Sequence, residues 1–152
     1  MKIGIISDTH DHLIKIKEAI DIFLLHKVDL ILHAGDFVAP FALHPLNESG
    51  ISWFGVFGNN DGEKEGLLKI SSGRIKTPPF FIEEEGKRIA LTHIFQELEA
   101  DIIIFGHTHK PQIEERGGKL LINPGEACGW LSNKSSVVIF DFASFKPQLI
   151  YF

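Results

Sequence analysis

Apolar residues along the first sixty positions come in short unbroken runs, each cut off by a glycine or a small polar residue. "KIGIIS" (2–7) has the pattern of a buried strand, and "DHLIKIKEAIDIFLLHK" (11–27) spaces Ile16, Ala19, Ile20, Phe23 and Leu24 as one helical face, with Lys15, Lys17 and Glu18 outward. Asp11 is the expected N-cap of that helix. "VDLILHAGD" (28–36) and "ISWFGVFGNND" (51–61) predict two more strands, and "VAPFALHPLNES" between them is helical, with Pro45 kinking or ending it. A segment bearing lysines and glycines (62–73) precedes "PPFFIEEEGKRIALTH" (78–93), a hairpin turning at Glu85-Gly86. A short helix at 95–100 is expected to lead into the strand "DIIIF". The last third is strand-rich: "PQIEERGGKLLINPG" turns at Gly117-Gly118, and "SSVVIFDF" pairs with "KPQLIYF".

Helices interspersed with parallel-type strands, then hairpins, predict an α/β fold of two packed mixed β-sheets flanked by helices, an αββα sandwich. No repeat or low-complexity linker divides the chain, so residues 1–152 are read as a single domain.

Composition changes this picture little: 44% hydrophobic and 23% charged residues are those of a soluble globular protein. The apolar run near Met1 is too short for a secretory core, and no other run approaches the roughly 20 apolar residues of a membrane span. The expected location is the cytoplasm, without membrane contact, and the lone Cys128 fits a reducing compartment. A net charge of −5 argues against a groove for nucleic acid, which is bound through clustered Lys and Arg. Bound cations would escape that count.

The chemistry lies where the apolar runs end. "IGIIS" is followed by Asp8-Thr9-His10, "LILHA" by Gly35-Asp36, and "FGVF" by Gly58-Asn59-Asn60-Asp61. "RIAL" is followed by Thr92-His93 and "IIIF" by Gly106-His107-Thr108-His109. Strand ends are where α/β sheets build sites, so these side chains are placed to converge. Carboxylates, imidazoles and an amide oxygen form a mixed O/N set that suits Mn, Fe, Ni or Zn better than Ca or Mg. They are too many for one tetrahedral ion, whereas two ions sharing a carboxylate would use them all, an arrangement suited to attack on phosphorus.

The ordered set "DTH…GD…GNND…H…GHTH" resembles the calcineurin-like metallophosphoesterase superfamily, in particular its small bacterial and archaeal phosphodiesterase branch. The motifs span residues 8 to 109, and the flanking strand pattern covers essentially the whole chain. The resemblance implies that Asp8, His10 and His109 hold one metal ion and Asn59, His93 and His107 a second, with Asp36 bridging. It implies two divalent ions, manganese first, a bridging hydroxide as nucleophile, a small phosphodiester as substrate, and Asp36, Asn60 and His93 as the catalytic residues. Asn60 stands where larger phosphatases carry a histidine and has no acidic proton to give a leaving group, so activated leaving groups are expected.

Other positions are less telling. His33 reads as a core histidine, His12 as a solvated first-turn residue, and His26 and His44 as helix residues without a role. Asp61 either orients a ligand histidine or caps the next segment. In "NPGEACGW" this chain has Glu126 where family members often have serine, and Asn123 reads equally as a turn cap or a support for the site. Ile94 stands where family members commonly have glycine, and only thirteen residues separate His93 from His107, short for the family, so a helix or loop walling the substrate pocket is expected to be trimmed. Two other readings stand beside the phosphodiesterase: a scaffold on the same fold, as in the retromer coat, and a nuclease. Phe41, Trp53 and Trp130 are candidates for either the core or a homo-oligomer contact.

Overall fold

The computed structural model describes residues 1–152. Strands β1 (Lys2–Ile6), β2 (Leu30–His33), β3 (Ser52–Val56) and β4 (Ile75–Lys76) run parallel, and β10 (Ser136–Asp141) and β11 (Lys146–Tyr151) add to β1 antiparallel, giving the order β11-β10-β1-β2-β3-β4. The second sheet has the order β5-β6-β7-β9-β8, built from β5 (Phe80–Glu84), β6 (Lys87–Leu91), β7 (Ile102–Ile104), β8 (Gln112–Arg116) and β9 (Lys119–Asn123). Here β6, β7 and β9 are parallel, while β5 and β8 fold back as hairpin arms. The expected pair of mixed sheets with flanking helices is therefore present.

Alternation along each strand explains the packing. Ile3, Ile5, Leu30 and Leu32 of the first sheet meet Ile89, Leu91, Ile102, Ile104, Leu120 and Ile122 of the second in one buried cluster. The opposite face of the first sheet, with Ile6, Ile31 and Trp53, packs against Ile16, Ala19 and Phe23 of α1 (Leu13–Leu25), Leu46 of α2 (His44–Glu48) and Leu67 of α3 (Lys64–Ile70). Both faces of the parallel strands are thus covered, which is why they read as continuous apolar runs.

Two local expectations are corrected. His12, not Asp11, caps α1, its side chain accepting from the Lys15 N–H; the Asp11 carboxylate instead accepts from the Ala39 N–H at 2.8 Å. Residues 95–100 are irregular rather than helical. Phe95, Leu98 and Ala100 instead lie against Ala90, Ile103, Phe105 and Leu121 on the outer face of the second sheet, contacts that an irregular segment makes without a helix. Within 62–73 the chain forms α3, and residues 38–49 make a turn of 3₁₀-helix (Pro40–Leu43) that passes into α2. Trp53 is buried in the core, whereas Phe41 and Trp130 are exposed.

Candidate metal centre

The C-terminal ends of β1, β2 and β3 lie at one edge of the first sheet, and those of β6 and β7 supply the facing residues from the second. Backbone bonds tie the segments beyond the strand ends together: Asp8 N–H donates to the Gly35 carbonyl at 3.0 Å, His10 N–H to the Asp36 carbonyl at 3.1 Å, and Gly106 N–H to the His93 carbonyl at 3.0 Å. Asp8, His10, Asp36, His107 and His109 all have positive φ, between 38° and 67°. Non-glycine residues adopt this region at a cost that surrounding structure must hold in place, and such residues cluster at functional sites.

All seven residues singled out as ligands come together, in two groups. Nε2 of His109 lies 3.5 Å and Nε2 of His10 3.9 Å from Oδ1 of Asp8. Oδ1 of Asn59 lies 2.8 Å from Nε2 of His93 and 2.9 Å from Nδ1 of His107. Oδ2 of Asp36 joins them, 3.4 Å from Nε2 of both His10 and His93.

The donor set fits divalent ions on two observations. Oδ1 of Asp8 and Nε2 of His10 are buried without any hydrogen-bond partner, an expensive condition that a cation between them would relieve. The other oxygen of Asp8 is satisfied, by Ser7 Oγ at 2.6 Å and the His107 N–H at 3.2 Å, so the free one is aimed. Furthermore, both carboxylates are buried with only histidines as ionic partners, no lysine or arginine among them. Burial pushes the Asp8 carboxyl up, and Ser7 with His109 and His93 offset this only in part. Burial acts the same way on Asp36, but hydrogen bonds from His93 and from the backbone N–H and side-chain amide of Asn60 outweigh it and hold that carboxyl well below the usual range. His93 is pushed down by burial, yet Asp36 and the Ala34 carbonyl raise it above the ordinary imidazole value.

Glycine is needed where strands and loops meet these oxygens. A Cβ on Gly58 would overlap Oδ1 of Asp36, and one on Gly106 would overlap Oγ of Ser7.

The residues around the centre resolve several sequence alternatives. His33 is a buried core residue that pairs with Thr9 Oγ1 at 3.1 Å and stacks on Phe37. Asp61 orients no histidine; it accepts the backbone N–H groups of Asp36 at 3.1 Å, Val38 at 2.8 Å and Gly58 at 2.7 Å, fastening two ligand loops to each other. Asn123 both caps its turn, accepting from Gly125, and supports the site, donating to the Gly106 carbonyl at 2.9 Å. Asn60 donates its backbone N–H and its side-chain amide to Asp36 at 2.9 and 2.8 Å. Glu126 was not identified as a contact of the site from the sequence: its Oε2 accepts from Nδ1 of His109 at 2.8 Å. Beside Asn59 and His93 opens a cavity of about 350 Å³ walled by Phe57, Lys64, Pro78, Ile94 and Gln96.

Fold and site together define an α/β protein that gathers, beyond its strand ends, nitrogen and oxygen donors able to hold metal ions. Residues 1–144 match the calcineurin-like phosphoesterase superfamily domain, and the chain belongs to that superfamily. It is 38% identical over 154 residues to a phosphodiesterase of Methanocaldococcus jannaschii, spanning 93% of each protein. A solved archaeal phosphodiesterase superposes with a TM-score of 0.89 at 34% identity over the full length of both chains. A variant of Vps29 from Entamoeba histolytica, 19% identical with a TM-score of 0.69 over 100% of this chain and 99% of its own, shares the fold. No helix is long and apolar enough to cross a membrane.

Proposed function

We propose that this protein is a divalent-metal-dependent phosphodiesterase that hydrolyses small phosphodiesters in the cytoplasm. The observation that carries the reading is the sharing of Asp36 Oδ2 between two otherwise separate ligand groups, Asp8, His10 and His109 on one side and Asn59, His93 and His107 on the other. Two divalent ions held there, manganese first among Mn, Fe, Ni and Zn, would supply Lewis acidity and, with a hydroxide between them, a nucleophile for in-line attack on phosphorus.

The chain's own residues do the rest. Asp36 neutralises part of the ionic charge from a position that Asn60 holds through two hydrogen bonds. His93 is aimed by its Nδ1 contact with the Ala34 carbonyl at 2.8 Å. The cavity beside Asn59 and His93 has room for one ester group of the substrate. A scaffold without catalysis has no need of seven intact ligands, and the net charge of −5 disfavours a nuclease.

The test is hydrolysis of bis(4-nitrophenyl) phosphate by protein first stripped with chelator and then reloaded with Mn²⁺, with bound metal counted in parallel. Turnover that rises with metal content toward two ions per chain supports the reading. Failure to bind metal would return the scaffold to first place, and robust DNA cleavage without diester turnover would favour the nuclease.

A further inference from the structure

Resting on the metal-binding reading above, we propose that Glu126 is a positioning residue for His109 that selectively strengthens ion binding by the Asp8, His10 and His109 group. Glu126 is fully buried. Its Oε1 accepts from Ser132 Oγ at 2.6 Å and the Leu131 N–H at 3.0 Å, and its Oε2 from Cys128 Sγ at 3.2 Å and His109 Nδ1 at 2.8 Å. Of these donors only His109 belongs to the centre. Donation from Nδ1 leaves the lone pair on Nε2, the atom that faces Oδ1 of Asp8 at 3.5 Å. A carboxylate behind a ligand imidazole sets its tautomer, fixes its orientation and raises its basicity.

The other three histidines lack this support. His93 gives its Nδ1 to a neutral carbonyl, that of Ala34. His107 turns Nδ1 itself toward Asn59. His10 has no carboxylate outside the centre within ion-pair distance, only Asp8 and Asp36. The two ligand groups are therefore unequal: one has Asp8 and the charge of Glu126 behind His109, the other only the amide of Asn59 beyond the shared Asp36.

His109, Glu126 and Cys128 also lie close enough to suggest a separate ion among them. The direct 2.8 Å contact between His109 and Glu126 occupies that space, and the Cys128 thiol is turned to the same carboxylate, donating to its Oε2 at 3.2 Å. Glu126 acts on the ligand, not on the ion.

The experiment is competition titration of metal-free protein with Mn²⁺ against a chromophoric chelator, for wild type, Glu126→Gln and Ser132→Ala, with circular dichroism to show that each is folded. Glu126→Gln is expected to weaken one of two binding steps about 10- to 100-fold and leave the other unchanged. Ser132→Ala removes a donor to Glu126 without touching His109 and is expected to change neither step. Equal loss in both steps, or no loss in either, overturns the proposal. Should Glu126→Gln not fold, ¹⁵N spectra of the imidazoles in metal-free wild type decide: a neutral His109 protonated at Nδ1 agrees, and one protonated at Nε2 contradicts it. Wild type that binds no Mn²⁺ sinks the metal reading itself, an outcome separate from the His109 tautomer.

Discussion

Oδ2 of Asp36 stands 3.4 Å from Nε2 of His93, and Nε2 of His10 approaches the same oxygen at the same distance. One carboxylate oxygen therefore serves both ligand groups, while Asn59 serves only one. On the two-metal reading, Asp36→Asn removes a charge that both ions would share and is expected to lower turnover by more than the ~10- to 100-fold typical of an outer contact, with loss of both metals. Asn59→Ala is expected to release one ion and cost less. Metal counts and kcat on a chromogenic diester compare them; equal metal content and turnover in the Asp36 variant would refute its bridging position.

Gly58 lies so close to the same side chain that an added methyl group has no space: its Cβ would overlap Oδ1 of Asp36 and fall 2.8 Å from its Cγ. The carboxylate cannot retreat, because Asn60 and the loops fastened by Asp61 hold its surroundings. Gly58→Ala is expected to destabilise the fold by about 1–3 kcal/mol, as overpacking does, and to weaken metal binding as well. Urea unfolding alongside a metal titration measures both. A variant with wild-type stability and affinity would show that the loop yields.

Most of this architecture is legible in the sequence because the strands carry their own evidence. The runs at 2–7 and 28–36 are apolar on both faces, as parallel strands covered on both sides must be, and the turns at Glu85-Gly86 and Gly117-Gly118 mark their hairpins. The candidate ligands are legible for the same reason, since each lies in the short segment just beyond a strand end. What was missed depends on pairing between distant segments. Glu126 reaches His109, seventeen residues earlier, only because β7 and β9 run parallel in the register Ile104 to Ile122, which brings the segments after both strands together. Asp61 likewise reaches Asp36 and Val38 through the order of β2 and β3. The segment at 95–100 misled because its apolar residues meet a sheet face without needing a helix to present them.

His33 makes a prediction about acid stability. Burial, aided by the neighbouring His93, pushes its imidazole down to about 3. An unfolded chain takes up a proton there below about pH 6.5, and the folded one does not until about pH 3. Stability must therefore fall as pH drops through that window, by up to about 1.4 kcal/mol per unit from this residue. His93 has the opposite sign: raised in the metal-free protein, it contributes stability below about pH 6.5 that is lost as pH rises through its folded value. Urea unfolding of metal-free wild type and His33→Gln at pH 5, 6 and 7 separates the two residues. The variant is expected to lose less stability between pH 7 and 5 than wild type, and parallel pH profiles would mean that His33 is protonated inside the fold.

Asn60 sets the expected leaving-group dependence. Its side-chain amide and its backbone N–H both go to Asp36, at 2.8 and 2.9 Å, so the residue fixes that carboxylate and has no acidic proton to give a departing alkoxide. General acids typically contribute ~10²- to 10⁴-fold, and reactions that need one should be slow by about that factor. Rates across a series of methyl aryl phosphodiesters are expected to fall steeply from 4-nitrophenyl to phenyl. Asn60→His restores a titratable proton at that position while giving up the amide bond to Asp36. It is expected to lower the rate on the 4-nitrophenyl ester yet raise the ratio of phenyl to 4-nitrophenyl turnover. A flat dependence on the leaving group in wild type would mean that another residue supplies the proton, and the exposed Lys64 at the edge of the neighbouring cavity would be the first to replace.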